Sequence, residues 1–408
     1  MTKYPQIAFT EIAILIRGVS YDKKVASLSA KDGYIPILRA NNIQKDLILN
    51  DLVYVPPDLV KKEQMIREGD IVLAMSSGSK DLVGKSAQAN RDIDAAFGTF
   101  CGLIRAKENV NSKFLGLYFQ TQEYRNFVSY QSKGVNICNL KKKDIESLQI
   151  PLPPLPTQHQ IVSRIESLFA ELDKAVEHLR TAQQQLKTYI QAVLNHWLNN
   201  DDGKWETVPI KEIISVISNG STPKADKMFS KGEIQFIKVY NLNFDGSINL
   251  SKEPVFIDRE THETLLKRSK TKQGDVLINI VGPPLGKVSI VPDGEKEYNI
   301  NQAIVMFRPN ELVISKFLAY YLMSPQVIEW LNSTSKATAG QYNVKVSTCR
   351  EIMFPKISLP EQQRIVKEIE TRLSQAEAAE ARIAEALQKT EALRQSILKK
   401  AFSGELTQ

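Results

Sequence analysis

Residues able to do covalent or metal chemistry are few in this 408-residue chain, and poorly grouped. "GSKDLVGKS" at 78–86 has the look of a phosphate-cradling loop, whose backbone amides and lysine would hold a nucleotide. Five residues, however, separate Gly78 from Gly84 where that cradle needs four, and the corresponding "GPPLGKV" at 282–288 has three. A nucleotide loop would keep its length. A glycine turn presenting Lys85 and Lys287 to a phosphate backbone is the better account, beside the plainer one of a solvated hairpin turn. His159, His178, His196 and His262 are scattered, three of them in one helical stretch, and form no catalytic constellation. Cys101, Cys138 and Cys349 are isolated and spaced unlike a zinc site or a disulfide framework. That usage points to a reducing, cytoplasmic setting, with no metal and no catalytic residue expected. The net charge of +7 fits a polyanionic partner. No apolar run approaches the ~18 residues of a membrane span. "MTKYPQIAFTEIAILIRG" at the start is interrupted by Glu11, and reads as an element of the first domain, not as a signal core.

The elements that must position the remaining polar residues are arranged twice. "PLPPLPTQHQIVSRIE" at Pro151 returns as "PKISLPEQQRIVKEIE" at Pro355, 204 residues later. "FTEIA" at Phe9 answers "IKEII" at Ile210, "GYIPILRANNI" at Gly33 answers "GEIQFIKVYNL" at Gly232, and "EGDIVL" at Glu68 answers "QGDVLI" at Gln273. "FLGLYFQTQEYRNFV" at Phe114 answers "FLAYYLMSPQVIEWL" at Phe317. Ordered matches at a nearly constant offset indicate an internal duplication. Residues 1–150 and 201–354 carry short β-type runs between Gly, Asn, Asp and Pro turns, with a helical stretch near 112–130 or 315–331. Each is expected to be a mixed α+β domain. Residues 151–200 and 355–408 hold long Gln-, Glu-, Ala-, Lys- and Leu-rich helices that open after a proline.

Both helices carry heptads. The first seam runs Ile161, Ile165, Leu168, Leu172, Ala175, Leu179, Ala182, Leu186, Tyr189 and Val193. The second runs Ile365, Ile369, Arg372, Ala376, Ala379, Ile383, Ala386, Thr390, Leu393 and Ile397, with Arg372 and Thr390 weakening two layers. An antiparallel pair with flush ends sets Leu172 against Ala386, Ala175 against Ile383 and Leu179 against Ala379, a large residue facing a small one in each layer. The expectation is an antiparallel intramolecular coiled coil that relates the two halves by a pseudo-twofold axis. About 40 residues at ~1.5 Å rise make a ruler of roughly 60 Å. Two similar domains at its ends would meet a duplex at two places, and their sequence differences allow two unlike half-sites.

At this point the chain resembles the specificity subunits of type I restriction–modification systems. The residues that carry the resemblance are Pro-Leu-Pro-Pro-Leu-Pro-x-Gln at 151–158 and Leu-Pro-Glu-Gln-Gln at 359–363, each followed by Ile-Val and a long helix, together with "QSILKKAFSGELTQ" at 395–408 and the "EGD" and "QGD" tripeptides. The first helix departs from the pattern by ending "QAVLNHWLNNDDGKW" at 191–205. The resemblance implies two target-recognition domains (1–150 and 201–354) alternating with two helical spacers (151–200 and 355–408). It implies a non-catalytic subunit that binds double-stranded DNA at a bipartite asymmetric target. It further implies assembly with two methyltransferase subunits and two restriction (translocase–nuclease) subunits, which would bind S-adenosylmethionine, ATP and Mg²⁺ themselves. "VGPPLG" at 281–286 lacks the acidic or amide start and the aromatic end of an adenine-methylation motif. The alternative in the same class is a DNA-binding adaptor or orphan specificity protein acting without restriction partners.

Arg and Lys suit guanine, Asn and Gln suit adenine, and Lys, Ser and Thr position phosphates. Three pairs of segments therefore become candidate DNA contacts. "LRANNIQ" and "IKVYNLN" offer Arg39, Asn41, Asn42, Lys238, Tyr240, Asn241 and Asn243, with turn closure as the structural alternative for Asn42 and Asn241. "IRGVSYDKK" and "ISNGSTPKADK" offer Arg17, Lys23, Lys24, Lys224 and Lys227, with Ser221 and Thr222. "SKGVNICNLKKKD" and "SKATAGQYNVKV" offer Lys133, Asn136, Lys336, Gln341 and Tyr342, while Lys141–Lys143 reads equally as a solvated helix start. On the helices, Gln158, Arg164, Glu166, Gln362, Arg364 and Glu370 make repeated patches suited to two identical partners. Gln158 and Gln362 also suit hydrogen bonding at a helix start.

Overall fold

The apolar runs "DIVLAM" and "DVLINIV" lack the alternation of a half-solvated strand because both faces of the strand they form are covered. In Ile71–Ala74, Ile71 and Leu73 enter one core while Val72 and Ala74 enter another. In Val276–Asn279, Val276 and Ile278 face one core and Leu277 the other. The computed structural model describes residues 2–77, 82–131, 138–200, 203–335 and 342–406. It falls into two units, Met1–Leu179 with Glu385–Gln408, and Arg180–Ala384.

The first unit is built on an antiparallel sheet in the order Ala13–Arg17, Cys101–Ala106, Ile71–Ala74, Ser86–Gln88. A second sheet runs Val53–Val55, Ile35–Leu38, Ala96–Phe97, the last pair parallel. Gln6–Ala8 pairs with Gln149–Pro151 and closes the domain where it meets the first long helix. Two helices, Ser112–Tyr118 and Gln122–Gln131, pack their Phe114, Leu115 and Tyr124 into the core shared with Ile71 and Leu73.

The second unit repeats this topology strand for strand. Its main sheet runs Val216–Asn219, Ile304–Arg308, Val276–Asn279, Val288–Ile290, and its smaller one Phe256–Ile257, Ile234–Ile237, Tyr298–Ile300. Thr207–Pro209 closes on Met353–Pro355, and the paired helices are Ser315–Met323 and Pro325–Thr334.

Each unit is pinned at the same place by a buried ion pair. Asp70 is 1% exposed and accepts from Arg105 through both oxygens, at 2.8 and 2.6 Å. It also caps the turn before it, accepting from the Arg67 N–H. Arg105 spends its remaining donors on the Glu63 and Met65 carbonyls. Asp275 and Arg308 reproduce the arrangement at 2.8 and 2.7 Å, with the Lys272 N–H as the capped donor. The repeated Gly-Asp of the sequence is thus a structural joint between strand and turn.

Leu155–Leu198 and Leu359–Ser403 are single long helices. In the first unit Ile161, Val162 and Ile165 of the former share a core with Leu398, Ala401 and Phe402 of the latter, and the Phe402 ring lies 4.8 Å from that of Phe114. In the second unit Val193, Leu194 and Leu198 share a core with Ile365, Val366 and Ile369. Early turns of one helix meet late turns of the other in both units, so the pair is antiparallel.

The flush register needs correction. Arg394 stacks 4.6 Å over Phe169 and pairs with Asp173, where flush ends would set it opposite Arg164; the offset is roughly two turns. Tyr189 and Leu393, expected in the seam, are exposed, whereas Thr390 is buried with its hydroxyl donating to the Ala386 carbonyl. Heptad spacing fixes which face is apolar, not which turn faces which.

Gln158 and Gln362 also need correction as partner contacts: each is 1% exposed. The Gln158 carbonyl oxygen accepts from the Asn111 N–H at 2.9 Å, and its amide donates to the Pro153 carbonyl. Gln362 accepts from the Ile314 N–H at 2.9 Å and donates to the Leu312 and Ile357 carbonyls. Each glutamine splices the start of a long helix to the loop before the paired helices of its domain.

Two outcomes follow for stability. Asp70→Asn leaves the part-buried Arg105 without its counter-charge and should cost about 3 kcal/mol, the low end for breaking a buried pair. Calorimetry of the full chain should then show one transition lowered, and Asp275→Asn should lower the other. Gln158→Ala strands the Asn111 amide and the Pro153 carbonyl, and should cost about 1–3 kcal/mol. Hydrogen exchange should register the loss at the Asn111 amide with little change in the Arg180–Ala384 unit.

Candidate nucleic-acid interface

Two of the candidate segments of the first unit, "IRGVSYDKK" and the described part of "SKGVNICNLKKKD", meet at one groove. The strand Ala13–Arg17 ends at it, the strand Ile71–Ala74 leads into Ser76–Ser77 along it, and Cys138–Asn139 pairs with that stretch before the chain enters the short helix Lys142–Glu146. The groove has a volume of about 500 Å³ and is lined by Arg17, Ser20, Ser76, Phe100, Asn139 and Lys141, among others. Arg17 and Lys141 are exposed and form no ion pair among the described residues. Lys142 reaches Glu146 at 3.4 Å, and Asp144 caps the Lys141 N–H.

The floor of the groove is a tight crossing of backbones. The Val19 N–H donates to the Phe97 carbonyl at 2.7 Å, and a Cβ on Gly18 would sit 2.1 Å from the Gly98 carbonyl oxygen, so only glycine fits. Gly220 does the same in the second unit, where a Cβ would lie 1.8 Å from the Ile300 oxygen. The turns beyond correspond: the Met75 N–H donates to the Phe100 carbonyl, and the Ile280 N–H to the Ala303 carbonyl. Thr99 and Phe100 therefore occupy the places of Gln302 and Ala303. Val281–Gly282 pairs with Tyr342–Asn343 as Ser76–Ser77 pairs with Cys138–Asn139. The Thr222 hydroxyl donates to the Gln302 side-chain carbonyl, which leaves the exposed Gln302 NH₂ as a donor.

The other predicted contacts are placed as follows. Lys23 and Lys24 are exposed on the loop beyond Arg17, and Lys224 is exposed on its counterpart, where Lys227 is half-buried at 3.9 Å from Asp258. Lys133, Asn136, Lys336 and Gln341 lie outside the described residues, and Tyr342 is described as a strand residue only. Asn42 and Asn241 are buried and committed to closing a turn. Each accepts from a backbone N–H three residues earlier (Arg39 or Lys238) and donates to two carbonyls of the following loop. As base readers they are corrected: no donor or acceptor on either side chain faces solvent.

Their neighbours are partly engaged. Arg39 and Asn41 both donate to Asp51, Tyr240 donates to the Glu253 carbonyl, and Asn243 donates to Ser247. Lys85 donates to Gln44 at 2.8 Å, and Lys287 lies 5.7 Å over the Phe244 ring. Both lysines thus brace the glycine turn against the loop that follows the turn closed by Asn42 or Asn241.

On the long helices, Arg164 is exposed beside a shallow depression it shares with His159, Gln160, Ser163 and Ser167. Glu166 pairs with Lys113, and Glu370 with Lys316, the same contact in each repeat. Arg364 pairs with Glu361 and sits, like Arg372, over the Trp197 ring.

One further cluster, His262 with Glu263 and Glu297, brings ligand atoms within 4.8 Å of one another. Its chemistry opposes a cation. Asn299 accepts from Ser269 and the Ile300 N–H, so its NH₂ faces His262 Nδ1 at 3.2 Å and fixes the imidazole proton on Nε2. Burial holds the His262 pKa below its ordinary value, and Lys270 and Arg259 already neutralise the two carboxylates. A metal on Nε2 would force the proton to Nδ1, against a donor.

Sequence reasoning missed Phe100, Thr99 and Gln302. The signal was present in the comparison of the copies: "FGTFC" at 97–101 aligns with "INQAI" at 300–304, two turns of equal length and unlike side chains.

A family model for the type I restriction modification DNA specificity domain matches this chain twice, over residues 7–179 and 202–389. The type I restriction enzyme EcoKI specificity subunit of Escherichia coli is 31% identical over 414 residues, covering 97% of this chain and 88% of that protein. The StySPI specificity subunit of Salmonella potsdam is 30% identical over 410 residues, with the same two coverages, 97% and 88%. A solved chain from a study of type I R-M complex assembly and conformational transition aligns with a TM-score of 0.72 at 19% identity, covering 99% of this chain and all of that one, a likeness of fold. With two matched specificity domains on one duplicated frame, the chain belongs to the specificity subunits of type I restriction–modification systems, the non-catalytic component through which DNA sequence is recognised.

Proposed function

We propose that this subunit reads a bipartite, asymmetric DNA target, one part with each repeat. Residues 1–150 and 201–354 serve as the recognition domains, and 151–200 and 355–408 as spacers. The observation that carries this reading is the pair of corresponding turns: one backbone frame presents Thr99 and Phe100 in the first repeat, and Gln302 and Ala303 in the second. Two equal frames with unequal side chains suit two unlike half-sites. Arg17, Lys23, Lys24, Lys141, Lys224 and Lys227 supply phosphate contacts around them, and Arg39, Asn41, Lys238, Tyr240 and Asn243 stand at the next rim.

The helices present the repeated pairs Glu166–Lys113 and Glu370–Lys316, with Arg164 and Arg364, to two copies of one methyltransferase subunit. Two identical partners require the same patch twice. Restriction subunits join that assembly. S-adenosylmethionine, ATP and Mg²⁺ belong to the partners, and the complex works in the cytoplasm, where the DNA is.

Co-expression with the cognate methyltransferase subunit, followed by single-molecule sequencing of host DNA, tests the proposal. The expected result is adenine methylation confined to a two-part motif with a fixed gap of unspecified bases. A stable complex that adds no methylation would overturn it in favour of an orphan or adaptor role.

A further inference from the structure

Phe100 has no structural reason to be where it is. The residue is 67% exposed, although the backbone beneath it is hydrogen-bonded on both sides. The Phe100 carbonyl accepts from the Met75 N–H at 2.8 Å and the Ser76 N–H at 3.2 Å, the Cys101 N–H reaches the Gly98 carbonyl at 2.8 Å, and the Thr99 hydroxyl donates to the Val19 carbonyl at 2.9 Å. The same turn in the second unit keeps two of these bonds, Ile280 N–H to the Ala303 carbonyl and Ile304 N–H to the Asn301 carbonyl, with alanine at this position, so the fold does not require an aromatic ring there. The ring instead lines the groove that also holds Arg17, Lys141 and Lys142. A large apolar side chain on a fixed turn, beside Arg17 and Lys141 that form no ion pair among the described residues, is solvated poorly until something covers it, and those cations select a polyanion as the cover.

We infer that Phe100 is a specificity-determining residue of the first recognition domain, making an apolar contact with one base of its half-site. Thymine, which carries the C5-methyl group in the major groove, is the base such a contact favours. Arg17 and Lys141 hold the flanking phosphates and bring the duplex onto the ring. The second domain reads its half-site at the same place by a different kind of contact. Ala303 withdraws the apolar surface, and Gln302, its carbonyl held by Thr222, offers NH₂ donors to a base-edge acceptor. This inference rests on the proposed bipartite reading and adds which side chain reads which kind of feature.

The test uses the full chain co-expressed with its methyltransferase subunit, and compares the methylated motifs of wild type, Phe100→Ala and Phe100→Leu. In Phe100→Ala one position of one half-site should lose its preference by about tenfold, with the other half-site and the gap unchanged. Phe100→Leu, which keeps apolar surface, should retain most of that preference. An unchanged motif in Phe100→Ala, or a loss spread evenly over both half-sites with a lowered Tm, would overturn the inference while leaving the bipartite reading intact. A wild-type complex that yields no motif at all would sink the bipartite reading, and the inference with it.

Discussion

Everything placed at the groove depends on a buried carboxylate held by a guanidinium. Asp70 ties the turn at Arg67 to the strand Cys101–Ala106, and Asp275 ties Lys272 to Ile304–Arg308. The central strand follows directly from the aspartate, and the strand that carries the arginine begins at the exposed turn of Phe100 or Ala303. The pair therefore sets the register between the two strands whose far ends form the groove. Burying an ion pair is not intrinsically stabilising, because desolvation offsets most of the Coulomb attraction. What it does supply is intolerance of alternatives: a slip of one residue would bury an unpaired charge and turn each side chain to the wrong core.

Much of the fold was legible because duplication tests each reading twice. A strand inferred from "DIVLAM" alone is ambiguous with a buried helix, but its counterpart "DVLINIV" keeps the apolar run and changes the rest. The same duplication misled where function was concerned. Asn42 with Asn241 and Gln158 with Gln362 recur at matching places, as base readers or partner contacts would. Yet turn closure and helix splicing are needed in both domains too, so recurrence of a polar residue does not separate the two explanations. Burial does, and burial of a polar side chain is a tertiary fact. The helix register was illegible for a related reason: a heptad repeats itself every two turns, so an offset of that size keeps apolar faces matched. The pairing of Arg394 with Phe169 and Asp173 breaks that degeneracy.

In a duplicated reader the informative positions are those where the frame is the same and the side chain is not. Gly18 and Gly220 are alike because backbones cross there, and Asp70 and Asp275 because a charge is buried there. Thr99 and Phe100 against Gln302 and Ala303 are unlike at an equally fixed turn, where packing imposes no choice of side chain. What remains free to vary on a rigid element is what can be selected for a target.

The distribution of paired and unpaired cations supports the same division. Lys113 and Lys316 are matched with glutamates at the helix joints, and Lys211 with Glu351 where the second domain closes. These charges are largely cancelled before any partner arrives. Arg17 and Lys141 are exposed without such matching among the described residues, beside an apolar ring. Net charge alone would have scattered the +7 over the whole surface, and would have predicted a nonspecific polyanion binder. Unmatched charge beside a rigid, exposed and variable turn is a different object. On the proposed reading its cations would bring and orient the duplex through phosphates, and the choice among sequences would fall to the few uncharged groups the turn holds out between them.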